Sequence, residues 1–394
     1  MKLTRFAQVM AVAGLAALCS HSAGAQTIKI GFISSYSGPG AAQGDQLDKG
    51  VKLYMKLHAN DLPPGVKIEL ITRDDTGPNP QMAKQAAQEL IVHDKVQFLT
   101  GVVWTPNAAA IAPLSAEAKV PFVSMNASGA NLPYMSPYFA RVSFTIGQSA
   151  YTLGEWAGHK YKRAYTAVSD FTPGYEAEEF FVRGFTAAGG DIVGKVRIPL
   201  KDPDFVPYMQ RIKDVKPDVM FAFNPGGKQA VAMMKAYGDL GLRNAGVKYI
   251  GTGDITTDEE LQNMGDLAVG VTTVFHYSAA GDRPANKAFV AAYKKEYGEN
   301  LQPGFMVVGA WDAMEMIYAA IRKQGGKVDP DKTMEILKTY RSTDSPRGAF
   351  SLYPDTRDVI NPEYLREVRK VGNTYENVEL ELLSSTVAPR WWVR

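Results

Sequence analysis

The first part of the chain alternates short apolar runs with helical stripes. The run from Thr27 to Ile33 predicts a strand, and Leu47, Val51, Tyr54 and Met55 then recur on one face of a helix. The same alternation continues to residue 125. It predicts strands over 66–72, 97–101 and 120–125, and helices over 82–91 and 108–118. Such alternation is typical of a parallel sheet covered by helices.

The pattern restarts near Arg163 and builds a second unit of similar size. It predicts strands over 164–169, 192–198, 218–223 and 247–251, and helices over 177–188, 206–215 and 228–240. A further strand over 271–277 and helices over 284–297 and 305–323 exceed what the second sheet needs, and the tail from about Gly348 is strand-like. We therefore expect the chain to return to the first unit and then to cross again.

The predicted fold class is α/β, with two Rossmann-like lobes joined by a multi-strand hinge and a ligand cleft between them. The crossings are expected near Arg141 to Ile146, Val274 to Ser278, and Arg347 to Leu352. Lobe 1 is expected to comprise 26–143 plus 277–347, and lobe 2 to comprise 144–276 plus 348–394. Ligands of open α/β sheets bind beyond the carboxyl ends of the strands.

Residues 1–25 read as a secretory signal peptide. Lys2 and Arg5 precede an apolar run from Val9 to Cys19, and Ala23-Gly24-Ala25 offers a cleavage site. Cys19 is the only cysteine, and Leu18 before it favours simple cleavage over lipidation. We therefore expect a periplasmic protein that folds without disulfides.

Charge argues against a polyanionic partner. Removal of Lys2 and Arg5 lowers the 43 basic residues to 41, which equals the number of acidic residues. A nucleic-acid or anionic-membrane partner would require a clustered basic excess. We expect no nucleic-acid partner.

A glycine-rich turn follows the first strand, with Gly38, Gly40 and Gly44 in the stretch SGPGAAQG. The dinucleotide fingerprint needs its third glycine where this chain has Gln43, and the acidic pair Asp74-Asp75 lies too far along the chain. The turn could hold an anionic group at the helix N-terminus, or it could be a plain turn. Both interpretations stay open.

Catalytic signatures are missing from the sequence. His58, His93, His159 and His276 have no metal-ligand spacing, and there is no H-E-x-x-H, no G-x-S-x-G and no thiol nucleophile after residue 25. Asp74-Asp75 is interpreted as the end of a strand and the cap of the next helix. We expect no enzyme activity, no cofactor and no metal.

The loops at the predicted strand ends share a chemistry suited to a small carboxylate. Lobe 1 offers neutral hydrogen-bond donors, and lobe 2 offers aromatic surface and one acid. The candidates in lobe 1 are Tyr36, Trp104, Thr105, Asn126, Ala127 and Ser128, and the family resemblance given below adds Gln43. The candidates in lobe 2 are Phe171, Tyr175, Asn224 and Asp254. Asp254 either accepts the ammonium of an amino acid or caps a helix beginning near Thr257.

Several stretches in order resemble one known family over essentially the whole chain after residue 25. They are SGPGAAQG, RDDTGPNPQMAKQAAQELI, VPFVSMNAS, GTGDITTDEEL and VTTVFHYSAAGDRPANKAFVAAYKKEYG. The chain resembles the type I periplasmic solute-binding proteins of ABC transporters, in the leucine/isoleucine/valine-binding branch.

The resemblance implies roles for the loop residues. It places the ligand carboxylate on the hydroxyl of Thr105 and on the loop Asn126-Ala127-Ser128. It has Phe171, Tyr175 and Asn224 cover the ligand, and it assigns an ammonium in amino-acid binders to an acid near Asp254. Gln43 stands where the family has an aromatic residue in the first turn. Some members of this branch bind aromatic or other carboxylates instead of branched-chain amino acids.

Together these observations predict an extracytoplasmic solute-binding component of an ABC importer. It would capture a branched-chain or other amino acid, or an aromatic acid, by hinge closure, and deliver it to a cognate permease in the inner membrane. The alternatives are a ligand-sensing receptor with the same two lobes and, less favoured, an exported α/β enzyme.

Overall fold

The first sheet consists of five parallel strands in the order β2-β1-β3-β4-β5. The structure is a computed structural model that describes residues 26–384, so the predicted signal peptide lies outside the described residues. The strands are β1 (Gln26–Ser34), β2 (Val66–Asp74), β3 (Phe98–Gly101), β4 (Phe122–Ser124) and β5 (Phe139–Arg141). Four of them are mostly buried, as strands covered on both faces should be, whereas no residue of the edge strand β2 is buried.

The second sheet has seven strands in the order β15-β14-β10-β9-β8-β6-β7. The strands are β6 (Arg163–Ser169), β7 (Asp191–Ile198), β8 (Val219–Phe223), β9 (Lys248–Thr252), β10 (Thr272–Phe275), β14 (Glu363–Val371) and β15 (Thr374–Ser384). Strands β6 to β10 are parallel, and the last two add as an antiparallel hairpin. The mixed α/β architecture confirms the predicted fold class.

Eleven α-helices lie within residues 26–384. Those on the first sheet are α1 (Ala41–Leu57), α2 (Pro80–Val92), α3 (Thr105–Ala118), α9 (Pro284–Tyr297), α10 (Phe305–Lys323) and α11 (Pro330–Lys338). Those on the second sheet are α4 (Ile146–Lys160), α5 (Thr172–Ala187), α6 (Val206–Val215), α7 (Gly227–Asp239) and α8 (Leu261–Met264). We call each sheet with its helices the first lobe and the second lobe. No helix among the described residues is long and apolar enough to cross a membrane.

Helix α4 has no counterpart among the predicted elements. Its apolar stripe is interrupted by Gly147, Gly154 and Gly158, residues that disfavour a helix interior. The glycines allow close packing on α5: a Cβ on Gly154 would lie 2.4 Å from the carbonyl oxygen of Phe181. Tertiary contact, and not propensity, therefore makes this segment helical.

A small three-stranded sheet was not predicted, although its middle strand falls within the segment Arg347 to Leu352 that was expected to be a crossing strand. It comprises β11 (Arg341–Ser342), β12 (Phe350–Leu352) and β13 (Val359–Ile360). Its loop sits beside β5, where the backbone N–H of Arg141 donates to the carbonyl of Arg357 at 3.1 Å. The predicted lobe boundaries stay a prediction. The hydrogen bond to β5 of the first lobe favours a last crossing after residue 360 instead of at residue 348.

The crossing segments meet at the buried side chain of Arg347. Its guanidinium donates to the carbonyl oxygens of Val142 and Ser143 in the first crossing, at 3.0 and 2.7 Å. It also lies 3.4 Å from Nδ1 of His276 in the second crossing, and it donates to Asn361 at 3.1 Å. Its counter-ion is Asp312 of α10, which accepts from Nε at 2.7 Å. One fully buried side chain thus joins all three crossings.

Arg347→Met should lower the free energy of unfolding by about 3–5 kcal/mol, because it leaves Asp312 buried without its counter-ion. Urea denaturation followed by far-UV circular dichroism measures the loss. Arg369→Met is the control, since Arg369 is half-exposed and pairs with Glu367 on the surface. Equal, small losses in both variants would contradict the proposed importance of Arg347.

Candidate functional site

A cavity lies between the two lobes, where the carboxyl ends of the strands face each other. About 390 Å³ of space free of protein atoms lies there, a volume that includes open solvent. The first lobe contributes Val103, Trp104, Thr105, Asn126, Ser128 and Met306. The second lobe and the crossing after β5 contribute Phe144, Phe171, Pro173, Phe223, Pro225 and Asp254.

Neutral hydrogen-bonding groups form the first-lobe end of the cavity. The hydroxyl oxygen of Thr105 accepts the backbone N–H of Gly129 at 3.2 Å, so its own O–H proton remains to be donated. The amide of Asn126 donates to the carbonyl of Val103 at 2.7 Å, while its buried Oδ1 has no hydrogen-bond partner. Together with Ser128, these groups can bind a small polar or anionic group at the start of α3.

Aromatic and prolyl side chains form the walls. Phe171 and Phe223 lie roughly parallel, with ring centroids 6.0 Å apart. Phe144 closes the side toward the hinge, and Trp104 presents its indole from the first lobe. Such walls favour a flat or apolar ligand body.

Among residues 26–384, Asp254 is the only ionisable residue that lines the cavity. It follows β9 in a short 3-10 turn, Gly253–Thr256, and its Oδ2 accepts the hydroxyl of Thr252 at 2.8 Å. Burial raises the pKa of Asp254 to about 7, although Thr252 and the buried Arg366 oppose the shift. The helix expected near Thr257 is absent, because α8 begins only at Leu261, so the interpretation of Asp254 as a helix cap is wrong.

The glycine turn is explained by packing. A Cβ on Gly44 would lie 1.8 Å from the carbonyl oxygen of Ser35, and one on Gly40 would lie 2.7 Å from the indole of Trp104. Gly40 also has a φ of 92°, in the left-handed region. The turn residues do not line the cavity, which favours the plain turn over an anion site.

Asp74 and Asp75 end β2 as predicted, but they do not cap the next helix. Asp74 accepts the backbone N–H groups of Tyr36 and Ser37, at 2.9 and 3.3 Å. The cap of α2 is Asn79, whose side chain accepts the N–H of Met82 at 3.2 Å. The acidic pair therefore shapes the first turn.

Six of the eleven predicted ligand residues line the cavity, and five lie elsewhere. Those in the lining are Trp104, Thr105, Asn126, Ser128, Phe171 and Asp254. Those outside it are Tyr36, Gln43, Ala127, Tyr175 and Asn224. Whether any of the eleven binds ligand stays a prediction.

Local partners account for most of the residues outside the lining. The hydroxyl of Tyr36 donates to Asp48 at 2.9 Å, and that of Tyr175 donates to Asp170 at 2.8 Å. Asn224 uses its Oδ1 to accept the N–H of its own turn, from Gly226, at 2.9 Å. Ala127 is fully buried.

The lining residues absent from the prediction are Val103, Phe144, Pro173, Phe223, Pro225 and Met306. Four of them adjoin strand ends that the pattern had located. Phe144 lies in a crossing, and Met306 reaches the cavity from the start of α10. No local sequence signal marks these two.

Hydrogen bonds also connect the lobes at the rim of the cavity. Gln43 of α1 donates to the carbonyl of Pro225 at 3.3 Å. The backbone N–H of Ala130 donates to Glu176 of α5 at 3.0 Å. Burial raises the pKa of Glu176 to about 7, and its bond to Ala130 and the charge of Arg141 offset only part of the shift.

Among residues 26–384, no group of three His, Cys, Asp or Glu side chains lies close enough to hold a metal ion. The ligand-binding chemistry available at the cavity is therefore that of hydroxyls, amides, rings and one carboxyl group.

Known proteins share this architecture over nearly the whole chain. The sequence matches the family described as "Periplasmic binding protein" over residues 27–373. It is 39% identical over 366 residues to Leu/Ile/Val-binding protein homolog 6 of Brucella melitensis, covering 92% of this chain and 93% of the relative.

Two solved structures are similar in both sequence and fold. One is a solute-binding protein of an ABC transporter from Rhodopseudomonas palustris BisB5 in complex with 3,4-dihydroxybenzoic acid. It is 44% identical with a TM-score of 0.86, over 90% of this chain and 96% of that chain. The other, from Rhodopseudomonas palustris HaA2, is in complex with p-hydroxybenzoic acid. It is 40% identical with a TM-score of 0.88, over 93% of this chain and 99% of that chain.

Glu176→Gln should stabilise the protein at pH 8 and change little at pH 5. The pKa of Glu176 is raised from 4.5 to about 7 in the folded state, so the folded state loses stability as pH rises through that window. Gln keeps an acceptor for Ala130 and removes the charge. We expect a gain of about 1–3 kcal/mol at pH 8, measured by urea denaturation at both pH values.

The matched control is Glu179→Gln, on the same helix but exposed and paired with Arg183. A gain from Glu176→Gln that is equal at the two pH values would show that the charge of Glu176 is not responsible.

Proposed function

The chain belongs to the periplasmic binding protein family, and we propose that the solute it binds is an aromatic carboxylic acid of the benzoate type. It is the extracytoplasmic solute-binding component of an ABC importer. The choice of ligand rests on the residues that line the cavity. Rings and prolines form its walls, and one end carries neutral hydrogen-bond donors.

The first-lobe end suits the ligand carboxylate. The hydroxyls of Thr105 and Ser128 lie at the start of α3, where the helix dipole favours an anion. No basic side chain from the described part of the chain lines the cavity, so hydrogen bonds would hold the carboxylate that an arginine binds in other sites.

The walls suit a planar ring. A benzoate ring would lie between Trp104 of the first lobe and the phenylalanines of the second. Aromatic contacts of this kind contribute about 0.5–1.5 kcal/mol beyond the area they bury. The relatives from Rhodopseudomonas palustris, whose complexes contain hydroxylated benzoic acids, support this choice.

Asp254 stands on the second-lobe side, opposite the carboxylate end. A hydroxyl on the ligand ring could donate to its carboxylate, or accept from it when Asp254 is protonated. Its raised pKa makes both states accessible near neutral pH. A hydroxybenzoate would therefore satisfy both polar ends of the cavity.

Binding by closure of the two lobes completes the proposal. The cross-lobe bonds of Gln43 and Glu176 form only when the lobes are together. A ligand that bridges the lobes would stabilise this closed form. We propose that a cognate permease in the inner membrane recognises the closed form, and that the protein works in the periplasm.

An amino acid is the second candidate ligand. Asp254 could accept its ammonium group, and the relative from Brucella melitensis is named a Leu/Ile/Val-binding protein homolog. The two candidates differ in one group, the ammonium, which makes them separable by experiment.

A thermal-shift panel decides between the two ligand classes. The full chain without residues 1–25 is heated with benzoate, 4-hydroxybenzoate, leucine, phenylalanine and 3-phenylpropanoate. An aromatic acid at 100 times its Kd should stabilise the protein by about 2.7 kcal/mol. Stabilisation by leucine or phenylalanine but not by 3-phenylpropanoate would overturn the proposal and assign Asp254 to the ammonium.

Thr105→Val and Ser128→Ala should each weaken binding of the stabilising acid by about 1–3 kcal/mol, because each removes a donor from a buried carboxylate. Isothermal titration calorimetry measures the change in Kd. Thr105→Ser keeps the hydroxyl and should bind nearly as the wild type does, and Thr339→Val is an exposed control. Unchanged affinity in both Thr105→Val and Ser128→Ala would place the carboxylate elsewhere.

A further inference from the structure

We propose that Ser35 and Asp75 are positioning residues that fix the indole of Trp104 as a flat wall of the cavity and thereby set its preference for planar ligands. The preference for planar ligands rests on the proposed function. The fixing of the indole does not, because it follows from contacts within the first lobe.

A chain of hydrogen bonds runs from the cavity wall into the first lobe. The indole N–H of Trp104 donates to the hydroxyl oxygen of Ser35 at 3.0 Å. Ser35 in turn donates to Oδ1 of Asp75 at 2.6 Å. Trp104 is 5% exposed, and Ser35 and Asp75 are completely buried.

Asp75 is a buried carboxyl group without a basic partner. Its Oδ2 accepts the side-chain amide of Asn107 at 2.8 Å, and its Oδ1 also accepts the N–H of Gly77 at 3.1 Å. Burial still raises the pKa of Asp75, and the neighbouring Asp74 adds to the shift. Burying such a group costs free energy, so its retention needs a reason beyond stability.

The reason we infer is orientation of the indole. Of the side chains connected to Asp75, only Trp104 lines the ligand cavity. Because a hydroxyl can rotate, Ser35 needs a fixed acceptor if it is to present its lone pairs to the indole N–H. Asp75 supplies that acceptor.

The same part of the indole is also fixed by shape. An ideal Cβ on Gly40 would lie 2.7 Å from Cζ2 and 3.0 Å from Nε1 of Trp104. The ring therefore lies directly against the backbone of the glycine turn. The hydrogen bond holds the indole in its plane, and the close approach of Gly40 holds its position.

A fixed flat wall discriminates by ligand thickness. A benzoate ring can lie against it, whereas a cyclohexane ring of the same outline is thicker and requires the wall to move. Without the Ser35 bond the indole can turn about its side-chain torsions. The site should then accept the saturated ring more readily and hold the planar ring less tightly.

The first test compares benzoate with cyclohexanecarboxylate by calorimetry. In Ser35→Ala the ratio of the two affinities should fall by about three- to tenfold, the effect of one net hydrogen bond. Asp75→Asn should also lower the ratio of the two affinities. Ser37→Ala, in the same turn but bonded to Asp74, should leave the ratio unchanged.

A double-mutant cycle separates positioning from general damage to the fold. In a Trp104→Phe background, which has no indole N–H, adding Ser35→Ala should not change the ratio further. A wild-type ratio in Ser35→Ala, or a fall that persists at full size in the Trp104→Phe background, would overturn the proposal.

A measurement without ligand tests the hydrogen bond itself. The indole N–H signal of Trp104, assigned by its loss in Trp104→Phe, should move and exchange faster with solvent in Ser35→Ala. An unmoved signal would refute the positioning role whatever the ligand. If the wild type binds no aromatic acid, the proposed function and the selectivity claim fail together, while this signal still decides whether Ser35 fixes the indole.

Discussion

The relation between the two lobes depends on one buried guanidinium. Arg347 donates to the backbone of the first crossing at Val142 and Ser143, contacts His276 in the second, and donates to Asn361 in the third. The five N–H donors of arginine have a fixed fork geometry, so few other side chains could join three segments at once. Burial and the nearby positive charges hold the pKa of His276 low, which keeps its ring neutral beside Arg347.

Buried carboxyl groups have different partners near the hinge and in the cleft. Near the hinge, carboxylates have cationic partners: Asp312 pairs with Arg347, and Asp358 pairs with Arg141 at 2.7 Å. In the cleft, Asp254 and Glu176 have raised pKa values and no hydrogen-bonded basic side chain. Pairing does not remove the effect of burial, since burial still raises the pKa of Asp312 to about 6. The difference is that these two hinge carboxylates have hydrogen-bonded cationic partners, whereas the two cleft carboxyl groups can change protonation when a ligand or a lobe covers them.

The sequence predicted the elements whose signals are local and failed where distant contacts decide. Helices α6, α9 and α10 have the predicted bounds, because Pro or Gly begins them and an apolar stripe continues through them. Half of the residues that line the cavity were also predicted, since parallel strands bring their carboxyl ends to one edge of the sheet. Phe144 and Met306 could not be found this way, because Phe144 lies in a crossing and Met306 lies at the start of α10, both away from the strand ends. The prediction missed helix α4 for a related reason: its glycines lower helix propensity but allow close contact with α5.

The ambiguity between an aromatic acid and an amino acid has a physical origin in Asp254. A ligand carboxylate and an ionised Asp254 in the same cavity would repel each other. Within residues 26–384, no basic residue lines the cavity to relieve this repulsion. An amino acid would relieve it with its own ammonium, leaving Asp254 ionised. A plain aromatic acid would relieve it by binding together with a proton on Asp254, which then becomes a donor for a ring hydroxyl. One acid at this position therefore serves either ligand class, and the walls around it, not its charge, favour the ring.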